Sequence, residues 1–138
     1  MTLPPNARRN PVSAQGRRLI QEAIRQAAAL TALPKGWNSY DAIPVSPEAV
    51  RHVAAFIEDA IAEIPDLAAP AVIPTVRGGI QLEWSRRGIE VEVGFDTGGP
   101  GSWYAEDRET GTTQEAPVHG HEDAIRRWLS RMSARIGA

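Results

Sequence analysis

Two glutamates near the middle of the chain, Glu83 and Glu90, have a residue type and a spacing that could support chemistry. They lie in two neighbouring segments of alternating apolar and polar residues, and this period-two alternation predicts a β-hairpin with both glutamates on one side. Two carboxylates about 5 Å apart can divide acid and base roles, as in retaining glycoside hydrolases. A small hydrolase with paired carboxylates is therefore one alternative for the function. The other chemistry open to such a pair is attraction of a positively charged partner.

The predicted hairpin has an apolar residue at every second position. These residues are Ile80, Leu82, Trp84, Ile89, Val91, Val93 and Phe95. If residues 85 to 88 form the connection, Glu83 lies opposite Glu90 and Gln81 lies opposite Glu92. Like charges in directly opposed positions destabilise a sheet by up to roughly 1 kcal/mol unless positive charge offsets them. We therefore predict an acidic sheet face that calls for cations, with partner-binding residues Gln81, Glu83, Glu90 and Glu92.

Other candidate sites have weaker support. His119 and His121 precede Glu122 at the start of a predicted helix, but their spacing matches none of the strong zinc patterns. The chain has no Gly-x-Ser-x-Gly motif and no glycine-rich loop that opens a helix after a strand. We therefore predict no catalytic residue, no metal site and no cofactor.

The length of 138 residues is most simply explained by one domain with a single core. The chain has no cysteine, which rules out disulfides and thiolate chemistry and fits a reducing compartment. The first residues do not form an apolar signal segment, and no stretch approaches the roughly 20 apolar residues of a membrane helix. We expect a cytoplasmic protein without membrane contact.

Charge is distributed unevenly along the chain, although the net charge is only −2. Residues 1–35 carry six basic residues and one acid, residues 36–123 carry 5 basic and 16 acidic residues, and residues 124–138 carry four arginines and no acid. The basic ends could neutralise the acidic middle within the molecule, or the two signs could form separate surfaces. The second arrangement supports an alternative function, a nucleic-acid-associated protein that contacts phosphates through Arg8, Arg9, Arg17, Arg18, Arg127, Arg131 and Arg135.

The order of elements predicts an α+β domain over residues 13–138, preceded by a flexible arm at residues 1–12. Helical periodicity predicts a helix from Ser13 to about Leu33, a second helix after Ser46 and Pro47, and a third that begins near His121. Strands are predicted for the hairpin and for residues 102–106 and 112–118, and residues 71–73 could add a short edge strand. We expect a small antiparallel sheet of three to four strands with about three helices packed on one face.

The loop between the first two helices contains Trp37 and Tyr40. Aromatic residues of this kind dominate interface energetics when they are exposed, and otherwise fix a loop against the sheet. Both alternatives remain open from the sequence. We include Trp37 and Tyr40 among the predicted partner-binding residues.

Three short motifs resemble a recurring pattern in short, uncharacterised bacterial proteins. They are Gly36-Trp37-Asn38-Ser39-Tyr40, Pro44-Val45-Ser46-Pro47, and Pro74-Thr75 followed by Gly78-Gly79-Ile80-Gln81-Leu82-Glu83-Trp84. Residues 34 to 95 carry the resemblance, and Asn38 stands where the pattern has an acid. The resemblance implies a common fold and carries over no catalytic residue.

Our leading hypothesis is a non-enzymatic protein-binding module of the antitoxin, immunity or inhibitor type. Its acidic sheet face would engage a basic surface of another protein. The crowding predicted for Glu83 and Glu90 motivates this hypothesis, because a partner's cations would relieve it.

Overall fold

The computed structural model describes residues 14–135, except for the side chain of Gln15. The predicted arm of residues 1–12, which contains Arg8 and Arg9, lies outside the described residues. The elements in chain order are α1 (Ala14–Leu30), α2 (Pro47–Glu63), β1 (Ala71–Pro74), β2 (Ile80–Arg86), β3 (Ile89–Asp96), β4 (Gly99–Asp107), β5 (Thr112–Pro117) and α3 (Glu122–Ala134). The predicted α+β class is confirmed.

The strands form one antiparallel meander in the order β1-β2-β3-β4-β5. The sheet therefore has five strands, and the prediction of three to four was too low. The additional strand is β1, which pairs Val72 with Leu82 and packs Val72 against the core. Pro70 precedes β1 and Pro74 is its last residue. Neither proline can donate a hydrogen bond to a further strand at this edge of the sheet.

The three helices cover one face of this sheet. Helix α2 contacts β2, β3 and β4, helix α3 contacts β3 and β4, and helix α1 packs on α2 and β1. Ser46 caps α2 as predicted, because its hydroxyl accepts a hydrogen bond from the Ala49 N–H at 3.1 Å. No helix within residues 14–135 is long and apolar enough to cross a membrane.

The core lies between the helices and the apolar side of β2, β3 and β4. Every predicted inward residue of the hairpin is buried. The Phe56 ring of α2 meets Phe95 edge-on at 5.6 Å between centroids and lies 6.4 Å from Trp84. Aromatic pairs of this geometry add stability beyond the apolar area that they bury. The alternation in the sequence thus fixes which side of the sheet faces the helices.

The β2–β3 connection is a two-residue turn. Arg87 and Gly88 have φ values of 55° and 81°, as a type I′ turn requires. Positive φ is unfavourable for arginine, but the Arg87 guanidinium donates hydrogen bonds to the carbonyl oxygens of Met132 and Ser133 at 3.2 and 3.1 Å. These carbonyls lie in the last turn of α3, where positive charge is favourable. The turn is therefore held against α3.

This turn corrects the predicted register of the hairpin. Glu83 lies opposite Glu92 and not opposite Glu90, and Gln81 lies opposite Gly94 and not opposite Glu92. The prediction was wrong because it assigned four residues to the connection, whereas the turn uses two. A shift of two residues keeps each side chain on its original face, because side chains alternate with a period of two. The acidic side chains therefore still share one face, but with different neighbours.

Two of the motifs that carry the resemblance meet just before β2, where the Ser46 N–H donates to the Gly78 carbonyl oxygen at 2.9 Å. A Cβ atom at Gly79 would lie 2.4 Å from the Phe95 carbonyl oxygen, so the chain needs glycine there. Asn38 Oδ1 accepts hydrogen bonds from the N–H groups of Tyr40 and Ala42 at 3.0 and 3.3 Å. A carboxylate could accept the same bonds, and Asn38 therefore has a structural role that fits either residue.

A buried ion pair fastens the last turn of α3 to the sheet. The Asp107 side chain is only 1% exposed, and Arg135 binds both of its oxygens at 3.0 and 2.6 Å. Arg131 Nη1 lies 3.6 Å from Asp107 Oδ2, and the Glu109 N–H donates a hydrogen bond to Asp107 Oδ1 at 3.0 Å. The hydrogen bond from Arg135 is the main reason that the pKa of Asp107 falls from its ordinary 3.8 to about 2. This ion pair stabilises the ionised carboxylate.

We predict that Asp107→Asn lowers the melting temperature at pH 7. A lowered pKa in the folded state means that the stabilisation is present above pH 3.8 and is lost as the pH falls toward about 2. The difference between wild type and variant should therefore shrink over that range in thermal melts followed by circular dichroism. Glu109→Gln is the matched control, because Glu109 also pairs with Arg135 but is 62% exposed. An equal difference at pH 7 and pH 2 would contradict the prediction.

Candidate functional site

The side of the sheet that faces away from the helices carries most of the strand carboxylates. One row of cross-strand neighbours runs Glu83, Glu92, Tyr104 and Glu115, from β2 to β5. The next row runs Ser85, Glu90, Glu106 and Thr113. We call this surface the acidic face and define it by Gln81, Glu83, Glu90, Glu92, Tyr104, Glu106 and Glu115.

The structure brings the four predicted strand residues together on the acidic face. It adds three residues that were not predicted, Tyr104, Glu106 and Glu115. The alternation of β4 indicates two of them, because Trp103, Ala105 and Asp107 are buried and Tyr104 and Glu106, which lie between these positions, must point the other way. Glu115 follows from its pairing with Tyr104 on the neighbouring strand, and this pairing could not be obtained from the hairpin alone.

Positive charge on the acidic face is sparse. Arg108 donates to Glu90 at 2.9 Å, and both side chains are partly exposed. Glu83 accepts a hydrogen bond from the neutral Gln81 amide at 2.6 Å. Among residues 14–135, no other basic side chain forms an ion pair with a carboxylate of this face. Within these residues, the basic side chains of the helices therefore do not neutralise the carboxylates of the acidic face.

Two ionisable groups of the acidic face, Glu92 and Tyr104, have raised pKa values. Burial raises the pKa of Glu92, and the neighbouring charges of Glu83 and Glu90 raise it further. Loss of hydration also raises the pKa of the Tyr104 hydroxyl, with Glu106 adding to the shift. Both directions mean that additional negative charge is unfavourable at this position. The like charges of Glu83 and Glu90 are the part of this effect that an opposite charge would offset.

A shallow recess interrupts the acidic face at Gly94. Gly94 is the position opposite Gln81 on β3, and it has no side chain to fill the space between its neighbours. The recess has a volume of about 330 Å³ and is bordered by Glu92, Tyr104 and Glu115 among others. Its surroundings combine carboxylates with the aromatic residue Tyr104.

Trp37 and Tyr40 lie in the loop before α2 and not on the acidic face. The Trp37 indole N–H donates to the Ile43 carbonyl oxygen at 3.2 Å, a contact within the same loop. Tyr40 is 80% exposed. The Ile43 N–H donates to the Val76 carbonyl oxygen at 3.0 Å, so this loop lies beside the β1–β2 connection. Ile43, Val76 and the β1 residue Ile73 are further exposed apolar residues at this end of the sheet.

The basic residues proposed for nucleic-acid contact are divided between two elements. Arg17 and Arg18 are exposed on α1, whereas Arg127 is exposed on α3. Arg131 and Arg135 belong to α3 and the residue after it, and both are engaged by Asp107. Among residues 14–135, these arginines therefore do not form one patch of free guanidinium groups.

The histidines occupy separate positions. His119 and His121 are exposed before α3, and His52 is half-buried on α2. Within residues 14–135, no group of three or more potential metal-binding side chains is present.

Comparisons with known proteins do not identify this surface. No protein-family model matches the chain, and neither a curated protein nor a solved structure matches it. The acidic face is therefore interpreted from its own geometry and charge.

We predict that Glu92→Gln raises the free energy of unfolding at pH 7, by at most about 1 kcal/mol. The amide keeps the shape of the side chain and removes a charge that Glu83 and Glu90 disfavour. Because the folded pKa of Glu92 is raised, the wild-type protein gains stability as the pH falls through that value, and the difference should narrow there. Denaturant unfolding at pH 7 and pH 4 measures both effects.

Glu58→Gln on the exposed side of α2 is the control for a general change in net charge. It should leave stability nearly unchanged at both pH values. A decrease in stability for Glu92→Gln at pH 7 would show that the carboxylate is held by favourable contacts instead.

Proposed function

We propose that this chain is a non-enzymatic, cytoplasmic protein-binding module of the antitoxin, immunity or inhibitor type. Its acidic face engages a basic surface of another protein. The observation that carries this proposal is the set of five carboxylates on one open sheet face, with Arg108 as the sole ion-pair partner found for them within residues 14–135.

The charge arrangement favours binding over a purely structural role. Opposed like charges such as Glu83 and Glu92 destabilise a sheet. Replacement of these glutamates by neutral polar residues would remove that cost without disturbing the core, which lies on the other side. A partner with complementary charge accounts for the retained carboxylates, since it offsets the repulsion and accelerates association.

The composition of the face also fits a protein interface. Tyr104 lies near its centre and is flanked by Glu92 and Glu115, in keeping with aromatic residues at the centre of an interface and charged residues around them. Ile73 continues the row of Gln81 and Gly94 at the edge strand and is 37% exposed. The open face therefore offers apolar contacts next to its charges.

We also propose that the fold is shared with the bacterial proteins that the three motifs resemble. The roles of Gly79 and Asn38 support this, because both act on loop geometry and not on the acidic face. The motif positions Gln81 and Glu83 belong to the acidic face by strand alternation.

We predict that Glu83→Lys combined with Glu92→Lys abolishes capture of the partner while the domain remains folded. Both side chains point away from the core, and the double change reverses charge at directly opposed positions. Tagged wild-type and variant proteins would be compared by affinity capture from the native host followed by mass spectrometry. Captured wild-type partner should elute as salt rises from 0.1 M to 1 M, because the Debye length falls from about 10 Å to about 3 Å.

The matched control is Glu58→Lys with Asp59→Lys, which makes the same change in net charge on the exposed side of α2. It should capture the same protein as the wild type. The proposal is wrong if the variant with Glu83→Lys and Glu92→Lys still captures that protein, or if high salt does not release the protein from the wild type.

A further inference from the structure

We infer that the recess over Gly94 receives one arginine side chain of the basic partner. This inference rests on the proposed binding function of the acidic face and names the group that the face selects. Charge alone attracts any cation, whereas the shape and lining of the recess distinguish arginine from lysine.

The recess exists because of a local irregularity in the sheet. The register between β3 and β4 shifts between Val93 and Phe95, so Gly94 lies at the irregular position. A Cβ atom there would be 3.3 Å from the Ser102 carbonyl oxygen. Longer side chains surround this position, and a space of about 330 Å³ remains above the glycine. Such a volume is at the low end for a ligand pocket and suits one long side chain.

The lining of the recess matches a guanidinium group. Tyr104 provides an aromatic face, and its cross-strand neighbours Glu92 and Glu115 place a carboxylate on each side. A guanidinium group is planar, stacks on aromatic rings and donates two parallel hydrogen bonds to a carboxylate. A lysine ammonium is a compact, strongly hydrated charge that has neither the planar stacking surface nor the pair of parallel donors. The recess should therefore prefer arginine.

The electrostatics of Glu92 support this location. Its pKa is raised first by burial and then by two neighbouring carboxylates, so its charge is poorly compensated by water. A guanidinium group in the recess would supply the missing charge and hydrogen bonds. Arg108, the cation found on this face, is bound to Glu90 in the adjacent row.

The test uses two fluorescently labelled peptides of equal charge, nona-arginine and nona-lysine, titrated with the full chain at low salt and followed by fluorescence anisotropy. We expect nona-arginine to bind about three- to fivefold more tightly, the effect of one partly exposed cation–π contact. Tyr104→Leu removes the aromatic face and should bring the two affinities together. Tyr104→Phe keeps the ring and should retain the preference.

Gly94→Leu fills the recess and should weaken nona-arginine binding while nona-lysine binding changes little. Gly98→Leu is its matched control, because a Cβ atom at Gly98 meets no heavy atom within 4 Å. Circular dichroism melts confirm that each variant folds. If Gly94→Leu does not fold, the pair Tyr104→Leu and Tyr104→Phe decides the question without it.

The outcomes separate the inference from the function beneath it. Equal binding of both peptides by the wild type, or an equal loss of both in Gly94→Leu, overturns the arginine site and leaves the acidic binding face intact. Absence of binding by either peptide at low salt removes the binding function together with the arginine site.

Discussion

A strand that buries Leu82 and Trp84 must turn Glu83 to the opposite side of the sheet, and the same constraint acts on every strand of the hairpin. All three helices lie on the apolar side, so their basic residues cannot reach the carboxylates on the other side. Arg126 pairs with Glu63 and Asp123, and Arg135 pairs with Asp107 and Glu109. The basic residues of the helices therefore lie on one side of the sheet, and the carboxylates of the acidic face lie on the other. Within residues 14–135, Arg108 is the one ion-pair partner of the acidic face, because the basic residues of the helices lie on the other side of the sheet.

Arg135, near the end of the chain, stabilises the fold, and a count of charges along the sequence does not reveal this role. Arg135 binds the buried Asp107, and it also donates to the Arg87 carbonyl oxygen at 3.2 Å. Arg87 in turn donates to carbonyls at the end of α3. These contacts join α3, the β2–β3 turn and the end of β4 at one point. A buried carboxylate without its partner would be costly, so Arg135 is committed to the fold and is a poor candidate for phosphate contact.

The sequence predicted elements whose signals are local and failed where distant residues decide. Ser46 and Pro47 define the start of α2 through a cap that involves only nearby residues, and this prediction is confirmed. The β2–β3 turn was misjudged because Arg-Gly is not a standard type I′ sequence, and Arg87 is held in its conformation by α3, 45 residues away. Asp107 gave no local signal at all, since its partner Arg135 is separated from it by 28 residues. Strand β4 begins at Gly99 despite Pro100, because those residues pair with the end of β3.

The candidate site shows the same division between what a pattern predicts and what a register decides. Membership of the acidic face follows from period-two alternation alone and survives a register error of two residues, because such a shift leaves every side chain on its side. Neighbour relations between β2 and β3 do not survive it, because Gly94 faces Gln81 only in the observed pairing. The position of Tyr104 between Glu92 and Glu115 depends on the pairing of β4 with β3 and β5. General attraction to cations requires only that the carboxylates share one face. Selection of one cationic side chain also requires specific cross-strand neighbours. In the proposed function, attraction to a basic surface follows from the alternation of the strands, and selection of an arginine follows from the pairing of β4 with β3 and β5 around Gly94 and Tyr104.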